Sequence, residues 1–145
     1  MTDFEGKVAI VTGAGNGLGR SHALALAARG AKVVVNDLGC DVAGAGQGDD
    51  ADAVVEEIKA AGGEAIANKA SVADRDGAAS IVQDAVYSYG TVHILVINAA
   101  HLRVPSFTNL TQYSLDQFQD LHLSATSLGT HSSLLPLYLL LHLTH

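Results

Sequence analysis

The chain has 145 residues, 48% of them apolar and 16% charged, which suits one compact domain. Its formal net charge is −7 at pH 7, and this acidic balance argues against binding to nucleic acid or to an anionic membrane surface. Cys40 is the single cysteine, so an intrachain disulfide is excluded and a reducing compartment is favoured. Neither end reads as a targeting signal, and the sequence therefore predicts a cytoplasmic protein.

Short apolar runs alternate with helical patterns along the first hundred residues. The predicted strands are Lys7–Thr12, Ala31–Val35, Glu64–Asn68 and Val92–Ile97, and the predicted helices are Leu18–Arg29, Asp52–Ala61 and Asp74–Tyr89. Gly30 and the pair Gly62-Gly63 mark two helix ends. This alternation predicts an α/β fold, a partial doubly wound Rossmann fold with a parallel sheet of about four strands.

A glycine-rich turn, "TGAGNGLG", joins the first predicted strand to the first predicted helix. Glycines at this point allow backbone N–H groups and a helix N-terminus to approach a pyrophosphate. An ordinary flexible turn is the alternative interpretation, since glycines are common in loops. The flanking strand and helix favour nucleotide binding.

Asp37 follows the second predicted strand, about 20 residues after the glycines, where a carboxylate accepts hydrogen bonds from ribose hydroxyls. A carboxylate there also repels the 2′-phosphate of NADP. Lys32 lies at the far end of that strand, and the next basic residue along the chain is Lys59, so the predicted cofactor is NAD. Asp37 could instead serve only to form a turn at the strand end.

The spacing Thr12-Gly13-x-x-x-Gly17-x-Gly19 resembles the T-G-x-x-x-G-x-G motif of short-chain dehydrogenases/reductases. The text "GLGRSHALALAARGAKVVVNDLG" and then "ADAVVEEIKAAGGEAIANKASV" is most similar to the dehydrogenase domains of the peroxisomal multifunctional enzymes of type 2. The likeness extends from residue 3 to about residue 125. It implies an NAD-dependent (3R)-hydroxyacyl-CoA or hydroxysteroid dehydrogenase ancestry, and it is also the only indication of a peroxisomal location and of fatty acid metabolism.

The predicted cofactor-binding residues come from the glycine turn, the end of the second strand and the segments after the third and fourth strands. They are Thr12, Gly13, Gly15, Asn16, Gly17, Leu18, Gly19, Asp37, Ser71, Val72, Asn98, Ala99 and Ala100.

Two segments depart from the family pattern. The family places an Asp after the third strand to hold the adenine, and this chain has Ala70 there. The family motif N-N-A-G after the fourth strand is Ile97-Asn98-Ala99-Ala100 in this chain. The methyl group of Ala100 is expected to crowd the nicotinamide-side ribose and to weaken the site while leaving the fold intact.

The family's acid-base residues are missing from the sequence. Family chemistry uses a Tyr, a Lys four residues later that lowers the pKa of the phenol, and a Ser that polarises the carbonyl oxygen. No Lys occurs after Lys69, so none of the four tyrosines has a Lys at that spacing. His122 falls where the type 2 enzymes, as the resemblance suggests, also carry His; it is the single catalytic candidate, with simple packing in an apolar helix as the alternative.

The composition changes near residue 128, and no charged side chain occurs after Asp120 if histidine is neutral. This change predicts an NAD-binding half over residues 1–127 and an aberrant Leu-rich tail over residues 128–145, as in a truncated, misspliced or frame-shifted product. A diverged hydrophobic helix is the alternative. His131, His142 and His145 lack a nearby Cys or carboxylate, so no metal site is predicted.

The leading hypothesis for function is therefore the NAD-binding portion of a dehydrogenase that is catalytically incomplete. The alternative hypotheses are a chain completed by a partner that supplies the missing groups, and a non-catalytic interaction module that retains the nucleotide-binding turn as a relic. The predicted partners are nicotinamide dinucleotide and, through the tail or by homo-oligomerisation, another protein chain.

Overall fold

A computed structural model describes residues 3–39 and 48–100, together with seven later residues: Asp116, Gln119, Asp120, Ser124, Thr126, Ser127 and Thr130. The elements, in chain order, are β1 (Val8–Thr12), α1 (Gly17–Ala27), β2 (Lys32–Asn36), α2 (Asp50–Ala60), β3 (Glu64–Asn68), α3 (Arg75–Tyr89) and β4 (Ile94–Val96). These are the seven elements predicted from the sequence, in the predicted order.

The four strands form one parallel sheet in the order β3-β2-β1-β4. Its central pairing is in register from Val8 opposite Lys32 to Thr12 opposite Asn36. Because all strands run the same way, the residues that follow β1, β2, β3 and β4 emerge at one edge of the sheet. The predicted α/β fold class is confirmed, and the predicted site segments share this edge.

Apolar side chains cover both faces of the sheet. Along β2, Val33 and Val35 pack in a cluster with α1 and α2, whereas Val34 packs in a second cluster with α3. This alternation follows from the two-residue period of a strand, and it explains why a strand buried on both faces is a continuous apolar run. Burial of β1 and β2 therefore fixes the sheet between two helical layers.

Element ends differ from the predictions for local reasons. α2 begins at Asp50, two residues early, because Asp50 and Asp52 are favourable in the first turn beside the positive end of the helix dipole. α1 ends at Ala27, and Gly30 has a φ of +90°, a conformation that glycine adopts without strain. β4 ends at Val96, and beyond it the hydroxyl of Thr12 accepts hydrogen bonds from the N–H groups of Asn98 and Ala99 in place of a strand partner.

His93 joins β4 to the buried start of β1. Its Nδ1 accepts a hydrogen bond from the Val8 N–H at 3.0 Å, and its own N–H donates to the Val8 carbonyl at 2.9 Å. Val8 is only 2% exposed, so its N–H has little access to water. The side chain of His93 therefore satisfies a backbone donor that the short β4 does not reach.

We expect His93→Ala to lower the free energy of unfolding by about 1–3 kcal/mol, the cost of leaving a buried donor without an acceptor. Urea denaturation followed by circular dichroism measures the change. His22→Ala is the matched control, because His22 is exposed on α1. Equal losses in the two variants would contradict the assigned role of His93.

Within the described residues, no helix has both the length and the apolar character needed to cross a membrane.

Candidate functional site: a glycine turn at the carboxyl edge of the sheet

The glycine turn lies where β1 ends and α1 begins, at the carboxyl edge of the strands. Gly13 has a φ of +61°, and a Cβ placed on it would be 2.7 Å from the Ala99 Cα. Gly17 has a φ of +53°, and a Cβ on Gly19 would overlap the carbonyl oxygen of Gly13. Backbone conformation and close packing therefore exclude larger side chains at all three positions, as the spacing predicts.

Thr12 and Asn98 hold the turn against the end of β4. The Thr12 Oγ1 accepts hydrogen bonds from the N–H groups of Asn98 at 3.0 Å and Ala99 at 3.1 Å. The side-chain Nδ2 of Asn98 donates to the carbonyls of Thr12 at 3.2 Å and Gly13 at 3.0 Å. These contacts bring four predicted cofactor-binding residues together, and they give Thr12 and Asn98 a role in shaping the turn.

The N-terminus of α1 faces this edge with its positive end uncompensated. Its first turn contains no acidic residue, and its N-cap, Asn16, makes no side-chain hydrogen bond to the helix. The first N–H groups of a helix have no partner within the helix, so they favour an anion at this point. Leu18, in this first turn, is 74% exposed.

Asp37 connects the end of β2 to the glycine turn. Its Oδ2 accepts a hydrogen bond from the Gly15 N–H at 2.8 Å, and its Oδ1 accepts one from the Gly39 N–H at 2.8 Å. A Cβ on Gly15 would be 2.9 Å from the Asp37 Cγ and 2.6 Å from the Asp50 Cβ. Asp37 thus forms a local turn and also reaches the glycine motif, so the two interpretations of this residue are compatible in one geometry.

A buried amide pair shapes the segment after β3, which contains the predicted residues Ser71 and Val72. The Asn36 Nδ2 donates to the Asn68 Oδ1 at 3.0 Å and to the Ala70 carbonyl at 2.9 Å, while the Ala70 N–H donates to the Asn68 Oδ1 at 2.9 Å. Both backbone groups of Ala70 are therefore fixed. Sequence reasoning missed this pair, although an Asn at the end of two neighbouring strands is its signal.

Lys69 is a second feature that sequence reasoning did not use. Its ammonium group lies 2.7 Å from the Asp49 Oδ1 and 2.6 Å from the Asp52 Oδ2. Hydrogen bonding to Asp49 and then to Asp52 raises the pKa of Lys69 above its ordinary value, and hydrogen bonding to Lys69 lowers the pKa of Asp49. Lys69 thus pairs the end of β3 with the start of α2.

Two further predictions concern residues outside this cluster. His122, the catalytic candidate, lies outside the described residues, as do His131, His142 and His145. Among the described residues, no group of three histidine, cysteine or carboxylate side chains is placed to hold a metal ion.

The glycine turn between β1 and α1 is typical of a known protein family. The family model described as short chain dehydrogenase matches residues 7–138. The chain belongs to the short chain dehydrogenase family. The predicted resemblance is confirmed, and the family's cofactors are nicotinamide dinucleotides.

The curated relatives include enzymes of the predicted subfamily. The chain is 52% identical over 121 residues to peroxisomal multifunctional enzyme A of Dictyostelium discoideum, covering 83% of this chain and 27% of that protein. It is 46% identical over 121 residues to peroxisomal multifunctional enzyme type 2 of Mus musculus, covering 83% of this chain and 16% of that protein. The chain therefore spans less than a third of the length of these two relatives.

Solved structures have the same fold. A short chain dehydrogenase from Mycobacterium avium matches with a TM-score of 0.82 and 44% identity, over 91% of this chain and 48% of that one. A short chain dehydrogenase from Burkholderia cenocepacia J2315, solved in complex with NADP, matches with a TM-score of 0.81 and 31% identity, over 91% of this chain and 51% of that one. The family likeness therefore leaves the choice between NAD and NADP to the residues of this chain.

Proposed function

We propose that this chain binds NAD as the dinucleotide-binding portion of an oxidoreductase of the (3R)-hydroxyacyl-CoA or hydroxysteroid dehydrogenase type. When bound, NAD supplies the acceptor for a hydride. The N-terminus of α1 and the Gly13–Gly19 turn fit its pyrophosphate, because the turn excludes side chains and the helix end carries no acidic residue. The acyl-CoA assignment rests on the resemblance to the peroxisomal multifunctional enzymes of type 2.

The observation that carries this proposal is the hydrogen bond from the Gly15 N–H to the Asp37 Oδ2 at 2.8 Å. It fixes the carboxylate beside the turn before any ligand arrives. Each carboxylate oxygen has more than one acceptor site, so both remain able to accept a ribose hydroxyl. The same fixed charge opposes a 2′-phosphate, which supports NAD over NADP.

The remaining residues complete a dinucleotide site of reduced strength. The backbone of Ser71 and Val72 faces the adenine in this proposal, held in place through Ala70 by the amides of Asn36 and Asn68. In this proposal Ala99 and Ala100 flank the nicotinamide-side ribose, and the methyl group of Ala100 reduces the space available to that ribose. NAD binding is therefore expected to be weak but measurable.

The chain by itself holds the cofactor without completing the reaction in this proposal. Its 145 residues contain no Tyr followed by Lys four residues later. The family uses that lysine to make the phenol a better proton donor and acceptor at neutral pH. The substrate-side chemistry thus falls to groups that these residues do not provide.

We expect Asp37→Ala to weaken NAD binding by roughly tenfold, because a charge-assisted hydrogen bond to the ribose is lost. We also expect the preference for NAD over NADP to fall by about 10- to 100-fold, because the repulsion of the 2′-phosphate is lost as well. Isothermal titration calorimetry measures both ligands, since the chain has no Trp for intrinsic fluorescence. Asp76→Ala, which removes an exposed carboxylate from α3, is the charge-matched control. Tighter binding of NADP than of NAD to the unmodified chain would refute the role of Asp37.

A further inference from the structure

Lys69 lies level with Asp37 at the carboxyl edge of the sheet. β2 and β3 are parallel and in register, with Asn36 opposite Asn68, so the next residues along the two strands are Asp37 and Lys69. The Asp37 N–H also donates to the Asn68 carbonyl at 3.1 Å. Register thus places a lysine residue beside the residue whose carboxylate is assigned to the ribose, although 32 positions separate the two in the sequence.

The ammonium group of Lys69 is paired with two carboxylates at the start of α2. The Asp49 Oδ1 lies 2.7 Å from its Nζ and the Asp52 Oδ2 lies 2.6 Å from it, so two carboxylates share one cation. Asp50, between them, is close enough to the glycine turn that a Cβ on Gly15 would meet its Cβ at 2.6 Å. The paired carboxylates therefore adjoin the ribose side of the turn.

We propose that Asp49 and Asp52 are specificity-determining residues that exclude NADP by holding the Lys69 ammonium group out of reach of the 2′-phosphate. This proposal rests on the proposed NAD site. Asp37 opposes the phosphate by direct repulsion, whereas Asp49 and Asp52 withhold a cation that would compensate for it.

The charges at this edge support the proposal. Asp37, Asp49, Asp50 and Asp52 carry four negative charges against the single positive charge of Lys69. A phosphate dianion entering this region meets net repulsion. Lysine is a point charge on a flexible four-carbon stem, so an unpaired Lys69 is able to turn toward an entering phosphate.

The ionised forms of Lys69 and Asp49 are favoured by their pairing. Hydrogen bonding between the two groups raises the pKa of Lys69 and lowers the pKa of Asp49. Both shifts favour the charged forms of the two groups. Salt weakens the pair, since Lys69 and both carboxylates are substantially exposed.

The test is the variant Asp49→Asn/Asp52→Asn, titrated with NAD and with NADP by calorimetry at low salt. We expect NADP affinity to rise by about tenfold and NAD affinity to stay within about twofold, because only NADP carries the charged 2′ group. Asn at position 49 retains a residue type suited to the helix N-cap. The two single variants, each expected to show a smaller rise, keep the test valid if the double variant fails to fold.

Glu56→Gln/Glu57→Gln is the charge-matched control, since it also neutralises two carboxylates of α2 and releases Lys59 and Arg20 from ion pairs. It is expected to leave the NADP affinity unchanged. Adding Lys69→Met to the Asp49→Asn/Asp52→Asn variant should cancel the gain. A gain that survives Lys69→Met, or one that the Glu control reproduces, would overturn the role of Lys69.

The two proposals fail in different ways. If the unmodified chain binds NAD and the Asn variants gain nothing for NADP, the inference about Asp49 and Asp52 is wrong and the proposed function stands. If the unmodified chain binds neither dinucleotide, the proposed function is wrong and the inference falls with it.

Discussion

The 145-residue chain is expected to form no NADH from a (3R)-hydroxyacyl-CoA, even under conditions in which it binds NAD. Oxidation of a hydroxyl needs removal of the oxygen's proton as well as transfer of the hydride. Loss of positioned acid-base groups commonly costs about 10²- to 10⁴-fold in rate. If the groups that would bind the substrate are also absent, as the proposed function implies, the advantage of holding the two reactants together is lost as well.

The assay follows absorbance at 340 nm with purified chain, and a parallel calorimetric titration establishes that NAD is bound. His122→Ala is the informative variant, because His122 is the one catalytic candidate that the sequence offers. Turnover that disappears in His122→Ala would show that histidine has replaced the family's acid-base residues. Turnover that persists in the variant would show that a group other than His122 moves the proton, and it too would contradict catalytic incompleteness.

The arrangement of the strands was predictable because their signals are local. Val33, Val34 and Val35 are apolar and lie on alternating faces, so a continuous run of valines indicates a strand buried on both sides. The glycine turn was predictable for a similar reason, since Gly13 and Gly19 are close enough in sequence for their spacing to carry the constraint. Local pattern thus predicts both the elements and the position of the turn.

The environment of Asp37 was only partly predictable, because it depends on which strands are neighbours. The prediction of NAD considered the basic residues nearest in sequence to Asp37, Lys32 and Lys59. It did not consider Lys69, which lies farther along the chain and which the β2–β3 pairing brings level with Asp37. The hydrogen bond to Gly15 likewise joins residues 22 positions apart. Parallel order and register are non-local, so they enter the prediction only after the fold class has been accepted.

The contacts of Asn98 show the same limit. A resemblance to the family motif predicts a cofactor-binding residue at this position, whereas the described contacts of its side chain are with the carbonyls of Thr12 and Gly13. The motif locates the residue, and the structure shows which groups it contacts. Asn98 therefore helps to fix the shape of the glycine turn.

Gly19→Ala is expected to abolish measurable NAD binding, a loss of at least about 100-fold. A Cβ on Gly19 would overlap the Gly13 carbonyl oxygen and lie 2.5 Å from the Asn98 Nδ2. The methyl group must therefore displace backbone at the turn, and the hydrogen bond from Asn98 to the Gly13 carbonyl, 3.0 Å long, breaks with it. Overpacking of this kind costs about 1–3 kcal/mol, and a displaced turn no longer presents its N–H groups to a pyrophosphate.

Gly62→Ala separates the loss of binding from a general loss of stability. Gly62 has a φ of +85° at the end of α2, and a Cβ there would meet nothing within 4 Å. Alanine in this conformation costs about 1–2 kcal/mol through backbone strain alone. We therefore expect both variants to lower the urea midpoint while only Gly19→Ala loses NAD in calorimetry. Unchanged NAD affinity in a folded Gly19→Ala chain would place the pyrophosphate somewhere other than this turn, because no dinucleotide bound there could tolerate the displaced Gly13 carbonyl.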